Sequence, residues 1–157
     1  MNAYTFADGV FEACHKEHLK AVGTIKMMHA TEEFLYGLTF KGELVVLKAD
    51  NLEEIVVKKD SPSKTGDVTA MGVSESTGTV WVADKKGFVR VLDAKTLEPV
   101  ETPTELKTKE KEGTFISASN DQGTLIAVGD AKGYVSVFDA ATRALKFYHF
   151  ANASKIL

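Results

Sequence analysis

Short runs of alternating apolar residues, glycines recurring at fixed intervals and the lack of any long capped helical pattern predict an all-β fold. The 157-residue chain is read as a partial β-propeller of about three to three and a half four-stranded blades. The repeat carries most of the argument. Leu38–Ile55 (LTFKGELVVLKADNLEEI), Ala83–Val100 (ADKKGFVRVLDAKTLEPV) and a third segment from Gly129 (GDAKGYVSVFDAATRALKF) align. Their glycines Gly42, Gly87 and Gly133 are 45 and 46 residues apart. A period of that length with several short strands in each unit is the mark of a propeller blade.

The elements follow in chain order, as blade units of about 1–28 (incomplete), 29–66, 67–112 and 113–157. The segment Tyr4 to Met28 is the least regular. Its Asp8-Gly9 turn lies 33 residues before Gly42, short of one period, so it reads as an incomplete blade and a connection. Glu12–Met28 is the best helix candidate, but Val22, Thr24 and Ile25 are β-branched and Gly23 interrupts it, which favours strand. Val22–Met28 could close this partial blade or open the next one. Phe34–Phe40, Glu43–Lys48 and Glu54–Lys58 form the first full repeat. Val68–Val73, Thr79–Ala83, Phe88–Leu92 and a strand near Leu97–Glu101 form the second. Thr114–Ala118, Leu125–Gly129, Tyr134–Phe138 and Leu145–Phe150 form the third. In each, residues two apart are apolar and β-branched or aromatic, as a half-buried strand requires. The turn glycines stand where a hairpin calls for positive φ. Two polar stretches, Lys58–Asp67 (KKDSPSKTGD) and Thr102–Gly113 (TPTELKTKEKEG), read as surface excursions between units.

Composition narrows the function. Apolar residues make up 44% and charged residues 26%, a globular balance, and the formal net charge of −3 provides no basic field for nucleic acid. A single cysteine excludes a disulfide framework and a multi-cysteine zinc site. There is no apolar run of about eighteen residues and no basic-then-apolar leader at the N-terminus. The expectation is a cytoplasmic protein with no nucleic-acid or membrane partner.

The chemical motifs are mostly structural in character. Cys14, His15 and His18 would share a metal only on a helix; on a strand, positions 14 and 18 lie about 13 Å apart. The bland reading is a small apolar cysteine and solvated histidines. His29 and His149 stand alone. Asp84, Asp93, Asp130 and Asp139 could pair as acid and base, but they recur once per unit, which marks fold residues. Asn152-Ala153-Ser154 fits a glycosylation sequon that nothing else supports. Lys107, Lys109 and Lys111 are neutralised by Glu105, Glu110 and Glu112. Trp81 on a strand reads as core. No nucleophile elbow, phosphate loop or paired-histidine zinc motif occurs. The chain is therefore read as a non-enzyme with no catalytic, cofactor-binding or metal-binding residues, and its binding residues are not assignable from sequence.

The succession of strand, Asp-containing turn, strand and then Leu92-Asp93 or Phe138-Asp139 resembles a degenerate WD repeat, in a WD40-like propeller. Lys48 replaces the acid in the earlier unit, and the Gly-His dipeptide of the consensus is missing. In order, GELVVLK (42–48), VTAMGVSESTGTVWVADKKGFVRVLD (68–93), EGTFISASNDQGTLIAVGDAKGYVSVFD (112–139) and FYHFANASKIL (147–157) resemble part of the C-terminal propeller of the actin-interacting protein 1 family, the WD-repeat partner of cofilin. Ala127–Asp139 and the tail Ala153–Leu157 carry the resemblance most specifically. It implies two seven-bladed propellers in the whole protein and binding to cofilin-decorated actin filaments, whose disassembly the family promotes. It also implies a cytoskeletal location and no catalytic residues. It assigns no contact residue. The stretch TVWVADKKGFVRVLDAKTLEPV (79–100) is also similar to repeats of lactonase and quinoprotein-like propellers, which leaves an enzyme-type alternative, and a WD scaffold unrelated to actin is the other. About three and a half blades cannot close a ring whereas two copies would supply seven, so self-association, as a homodimer, is expected.

Overall fold

The computed structural model describes residues 3–7, 10–14, 22–52, 54–63, 68–100, 104–105, 114–119, 123–130 and 132–151. Fourteen strands and no helix lie in these segments. A hairpin of β1 (Ala3–Ala7) and β2 (Val10–Cys14) comes first. Three four-stranded antiparallel sheets follow. The first is β3 (Ile25–Ala30), β4 (Phe34–Thr39), β5 (Leu44–Lys48) and β6 (Ile55–Lys59). The second is β7 (Val68–Ser74), β8 (Thr79–Asp84), β9 (Phe88–Asp93) and β10 (Thr104–Glu105). The third is β11 (Thr114–Ser119), β12 (Leu125–Asp130), β13 (Tyr134–Asp139) and β14 (Leu145–Phe150). Each is a meander, strands pairing in chain order as in a propeller blade. β7 packs beside both β3 and β11, so the first strands of the three blades lie together.

Most strands match the sequence reading, and the differences have physical causes. β3 pairs with β4 (Ile25 opposite Thr39, Ala30 opposite Leu35), so Val22–Met28 leads into the first full blade and the approximate boundary at 28/29 falls inside a strand. No helix spans Glu12–Met28: its described ends belong to β2 and β3. The strand expected near Leu97–Glu101 is corrected. There the chain makes a single bridge, Leu92 opposite Pro99, and the fourth strand is Thr104–Glu105, paired with Val89 and Phe88. Leu97 sits at φ 56, a turn conformation that keeps it out of a ladder, and pairing at this end is confined to the bridge and the two bonds that flank it, Asp93 N–H to the Glu98 carbonyl and Val100 N–H to the Val91 carbonyl. The Asp8-Gly9 turn, residues 64–67 of the first polar stretch and residues 106–113 of the second lie outside the described residues, as does the tail Ala153–Leu157.

The blades pack face to face, and the pleat decides which residues meet. Tyr36, Leu38, Leu44 and Val46 of the first blade bury against Val68, Met71, Val73, Val80, Val82 and Leu92 of the second. The alternate residues of the second blade, Trp81, Ala83, Val89 and Val91, bury against Ile126, Val128 and Phe138 of the third. Odd and even positions thus serve opposite neighbours, which is why the strands read as nearly continuous apolar runs. A hydroxyl chain ties the second seam. Ser74 and Ser76 both donate to the Gly123 carbonyl, Thr77 Oγ1 donates to Ser74 Oγ at 2.8 Å, and Trp81 Nε1 donates to Thr79 Oγ1 at 3.1 Å.

Candidate functional site

The repeating aspartates are the first place to look for chemistry. Asp84 ends β8 and opens the turn to β9. Its Oδ1 accepts from the backbone N–H of Lys86 at 2.9 Å and of Phe88 at 3.1 Å. Asp130 does the same one blade later, accepting from Lys132 at 2.9 Å and Tyr134 at 3.0 Å. Gly87 and Gly133 close these turns at φ 79 and 87, where a Cβ would strain the backbone. Thr39 takes the position in the first blade: its Oγ1 accepts from Glu43 N at 3.1 Å. A second pair caps the outer turns. Asp93 Oδ1 accepts from Lys95 N, Thr96 N and Thr96 Oγ1, and Asp139 Oδ1 from Ala141 N, Thr142 N and Thr142 Oγ1. The Thr96 amide and hydroxyl hold the Asp93 carboxyl below its usual range. The Lys146 ammonium, 2.8 Å from Asp139, is the main cause holding that carboxyl well below the usual range too.

The other oxygen distinguishes the blades. Asp84 Oδ2 lies 2.6 Å from an Arg90 guanidinium nitrogen and accepts from Ser63 Oγ at 2.9 Å. Burial alone would raise the Asp84 carboxyl; Arg90, the Phe88 amide and Ser63 outweigh it and hold it below the usual carboxylate range. In the third blade the register position of Arg90 is Ser136, and Asp130 Oδ2 is buried without a hydrogen-bond partner among the described residues. The Oδ1 atom of each carboxylate is thus taken by donors of its own turn, and Asp84 is held in addition by Arg90 and by Ser63 from outside the hairpin. No group of three metal-ligating side chains forms among the described residues.

The remaining sequence candidates separate. His29 lies on β3 opposite Tyr36, and His149 lies on β14, two blades away, its ring 5.6 Å from that of Phe147. Cys14 ends β2, while His15, His18, Asn152–Ser154 and the lysines at 107, 109 and 111 lie outside the described residues. Trp81 is buried with its ring centroid 5.6 Å from that of Phe138. Sequence reasoning missed Ser63 and Arg90. The Arg90 signal was present, a cation at an alternating position of an otherwise apolar strand, six residues after an aspartate.

Concave surface occurs at the seam of the first two blades. A cleft of about 400 Å³ opens between the β3–β4 turn and the turns β7–β8 and β9–β10. Glu32 and Glu33 stand on one side and Glu75, Asp93 and Lys95 on the other, with Phe34 and Tyr36 between them. The Phe34 and Tyr36 rings meet edge to face at 6.3 Å and 64°. Burial, followed by the charges of Glu75, Asp93 and Glu33, raises the Tyr36 phenol above its ordinary value.

No family model and no curated protein matches the chain. Solved structures do. The chain superposes on the structure of RRP9 WD40 repeats with a TM-score of 0.71 at 9% identity, covering 84% of this chain and 40% of that one. It matches a chain of the mitotic checkpoint complex with a TM-score of 0.70 at 12% identity, covering 98% and 45%. It is also similar to the computationally designed Ika8 protein, with a TM-score of 0.64 at 19% identity, covering 84% and 38%. The fold is that of WD40-type β-propeller blades, and the chain spans about two fifths of the length of these structures.

Proposed function

We propose that this chain is a non-catalytic protein-interaction module, part of an actin-regulatory WD-repeat protein that acts with cofilin in filament disassembly. One observation carries the non-catalytic part: the carboxylates that recur from blade to blade hold hairpin N–H groups. Propeller blades of this kind offer turns and clefts as binding surfaces and need no reactive group. The actin assignment is supported by the ordered sequence resemblance of segments 42–48, 68–93, 112–139 and 147–157. Co-sedimentation of the full-length parent with actin filaments, with and without cofilin, tests it. Cofilin-dependent pelleting is the expected result. Equal pelleting in both conditions, or none, contradicts the actin reading.

Self-association belongs to the same proposal. The face of the third blade turned away from the second carries Ala127, Val135, Val137 and Phe147. Phe147 is 53% exposed, whereas Val57, its counterpart on β6, packs against the core. Leaving such a face in water forfeits about 25 cal/mol per Å² of apolar area. Sedimentation velocity is expected to show a concentration-dependent dimer. A protein that stays monomeric across the whole concentration range contradicts it; a range is scanned because buried area does not fix affinity.

A further inference from the structure

We infer that the cleft between the first two blades is a receptor for a cationic side chain, an arginine on an exposed basic segment of a partner protein. The inference rests on the interaction-module reading and not on the identity of the partner as actin.

The geometry has three parts. The walls come from different blades: Glu32 and Glu33 from the β3–β4 turn, Glu75 from the β7–β8 turn and Asp93 from the end of β9. Four carboxylates thus face one lysine, Lys95, across a space of about 400 Å³. That space is large enough for an extended side chain and its flanking backbone. The floor is aromatic, Phe34 and Tyr36, and a guanidinium is the cation best suited to lie on rings while its N–H groups reach carboxylates.

The third part is the phenol of Tyr36. The residue is only 4% exposed, yet its hydroxyl takes no hydrogen bond among the described residues. The ring is buried while the hydroxyl oxygen itself stays accessible at the cleft, where an incoming donor can meet it. Here it lies within the field of Glu75, Asp93 and Glu33 and borders the cleft. An N–H donor entering from outside satisfies the phenol oxygen and neutralises the carboxylates together. Asp93 Oδ1 is already taken by three donors of its own turn, so Asp93 contributes its charge and its second oxygen. Glu32, Glu33 and Glu75 are exposed and free to reorient toward the ligand. Charge-assisted pairs of this kind, several at one site, favour guanidinium over ammonium because the planar group can serve both walls.

Calorimetric titration of the folded chain with an acetylated, amidated tetra-arginine peptide tests the site, with tetra-lysine and tetra-citrulline peptides as comparison arms. The arginine peptide is expected to bind most tightly, lysine more weakly by about three- to tenfold, and citrulline not measurably. The double variant Glu33→Gln/Glu75→Gln changes only exposed side chains and is expected to weaken arginine binding by about tenfold or more. Tyr36→Phe keeps the ring and removes the acceptor, with an expected loss of about three- to tenfold. Asp60→Asn, an exposed acid beyond the opposite end of the first blade, is the control and is expected to change nothing. Equal loss in Asp60→Asn and in the double variant would mean diffuse attraction to an acidic protein and would overturn the inference. So would unchanged binding in the double variant or in Tyr36→Phe. Cofilin-dependent pelleting of the parent can succeed or fail independently of each of these results, so the two readings are separable.

Discussion

The second and third blades carry almost the same hairpin, Asp84-Lys85-Lys86-Gly87 and Asp130-Ala131-Lys132-Gly133, and use half of it identically. In both, Oδ1 takes two backbone N–H groups and the glycine closes the turn at positive φ. The other oxygen differs. Asp84 Oδ2 meets Arg90 and Ser63; Asp130 Oδ2 meets no hydrogen-bond partner among the described residues. The local sequence therefore dictates the turn, while the neighbourhood decides whether the buried charge is compensated. A second contrast accompanies it. At the position where the second blade places Trp81, opposite Val91, the third places Ala127, opposite Val137. The second blade is packed on both faces and carries its bulk there. The third carries half-buried Ala127, Val135 and Val137 and the exposed Phe147 on its outward face.

Three variants sharpen this comparison. The largest effect is expected from Trp81→Ala, which empties the seam against Phe138 and breaks the bond to Thr79. A loss of about 3–5 kcal/mol, read from urea denaturation, is expected. A loss below about 1 kcal/mol would mean that the seam is not packed as described. Next come the outer turns, where Leu97 and Arg143 occupy equivalent positions at φ 56 and 60. Leu97→Gly relieves the strained backbone but removes a side chain buried in the first seam, so a net loss of about 2–3 kcal/mol is expected. Arg143→Gly relieves the same strain without emptying an apolar core but gives up the interaction that Arg143 makes, so a change within about 1 kcal/mol is expected. Thermal unfolding of the two variants checks the sign. Two losses of equal size would show that the turn conformation, not the packed side chain, sets the cost.

The strand order and the turn glycines were legible because each strand alternates and each turn needs a backbone that glycine supplies. The role of Asp84, Asp93, Asp130 and Asp139 was legible for a related reason: a side chain that recurs at blade spacing does the same local work each time. Asp93 and Asp139 confirm it, each capping its turn through the same three donors. What lay beyond the pattern was non-local. Beside the end of β9 the chain makes only the Leu92–Pro99 bridge, and the fourth strand forms further on at Thr104–Glu105, opposite Val89 and Phe88. Ser63 reaches Asp84 across 21 residues, and the Ser74 hydroxyl reaches Gly123 across 49. The cleft was hidden for the same reason: Glu33, Glu75 and Asp93 share no motif and meet only when two blades pack.

The most direct test sets Asp84→Asn beside Asp130→Asn in urea denaturation, at neutral pH and in acid. At neutral pH, Asp84→Asn leaves Arg90 without its carboxylate, and a loss of about 3 kcal/mol is expected. Asp130→Asn keeps the Oδ1 acceptor and removes an uncompensated buried charge, so a change within about 1 kcal/mol is expected. The folded-state Asp84 carboxyl titrates below its ordinary range, so its contribution is full above about pH 4 and is lost as the pH falls through the folded value. The gap between wild type and Asp84→Asn should therefore close in acid. Equal losses for the two variants at neutral pH, or a gap that persists unchanged in acid, would contradict the account.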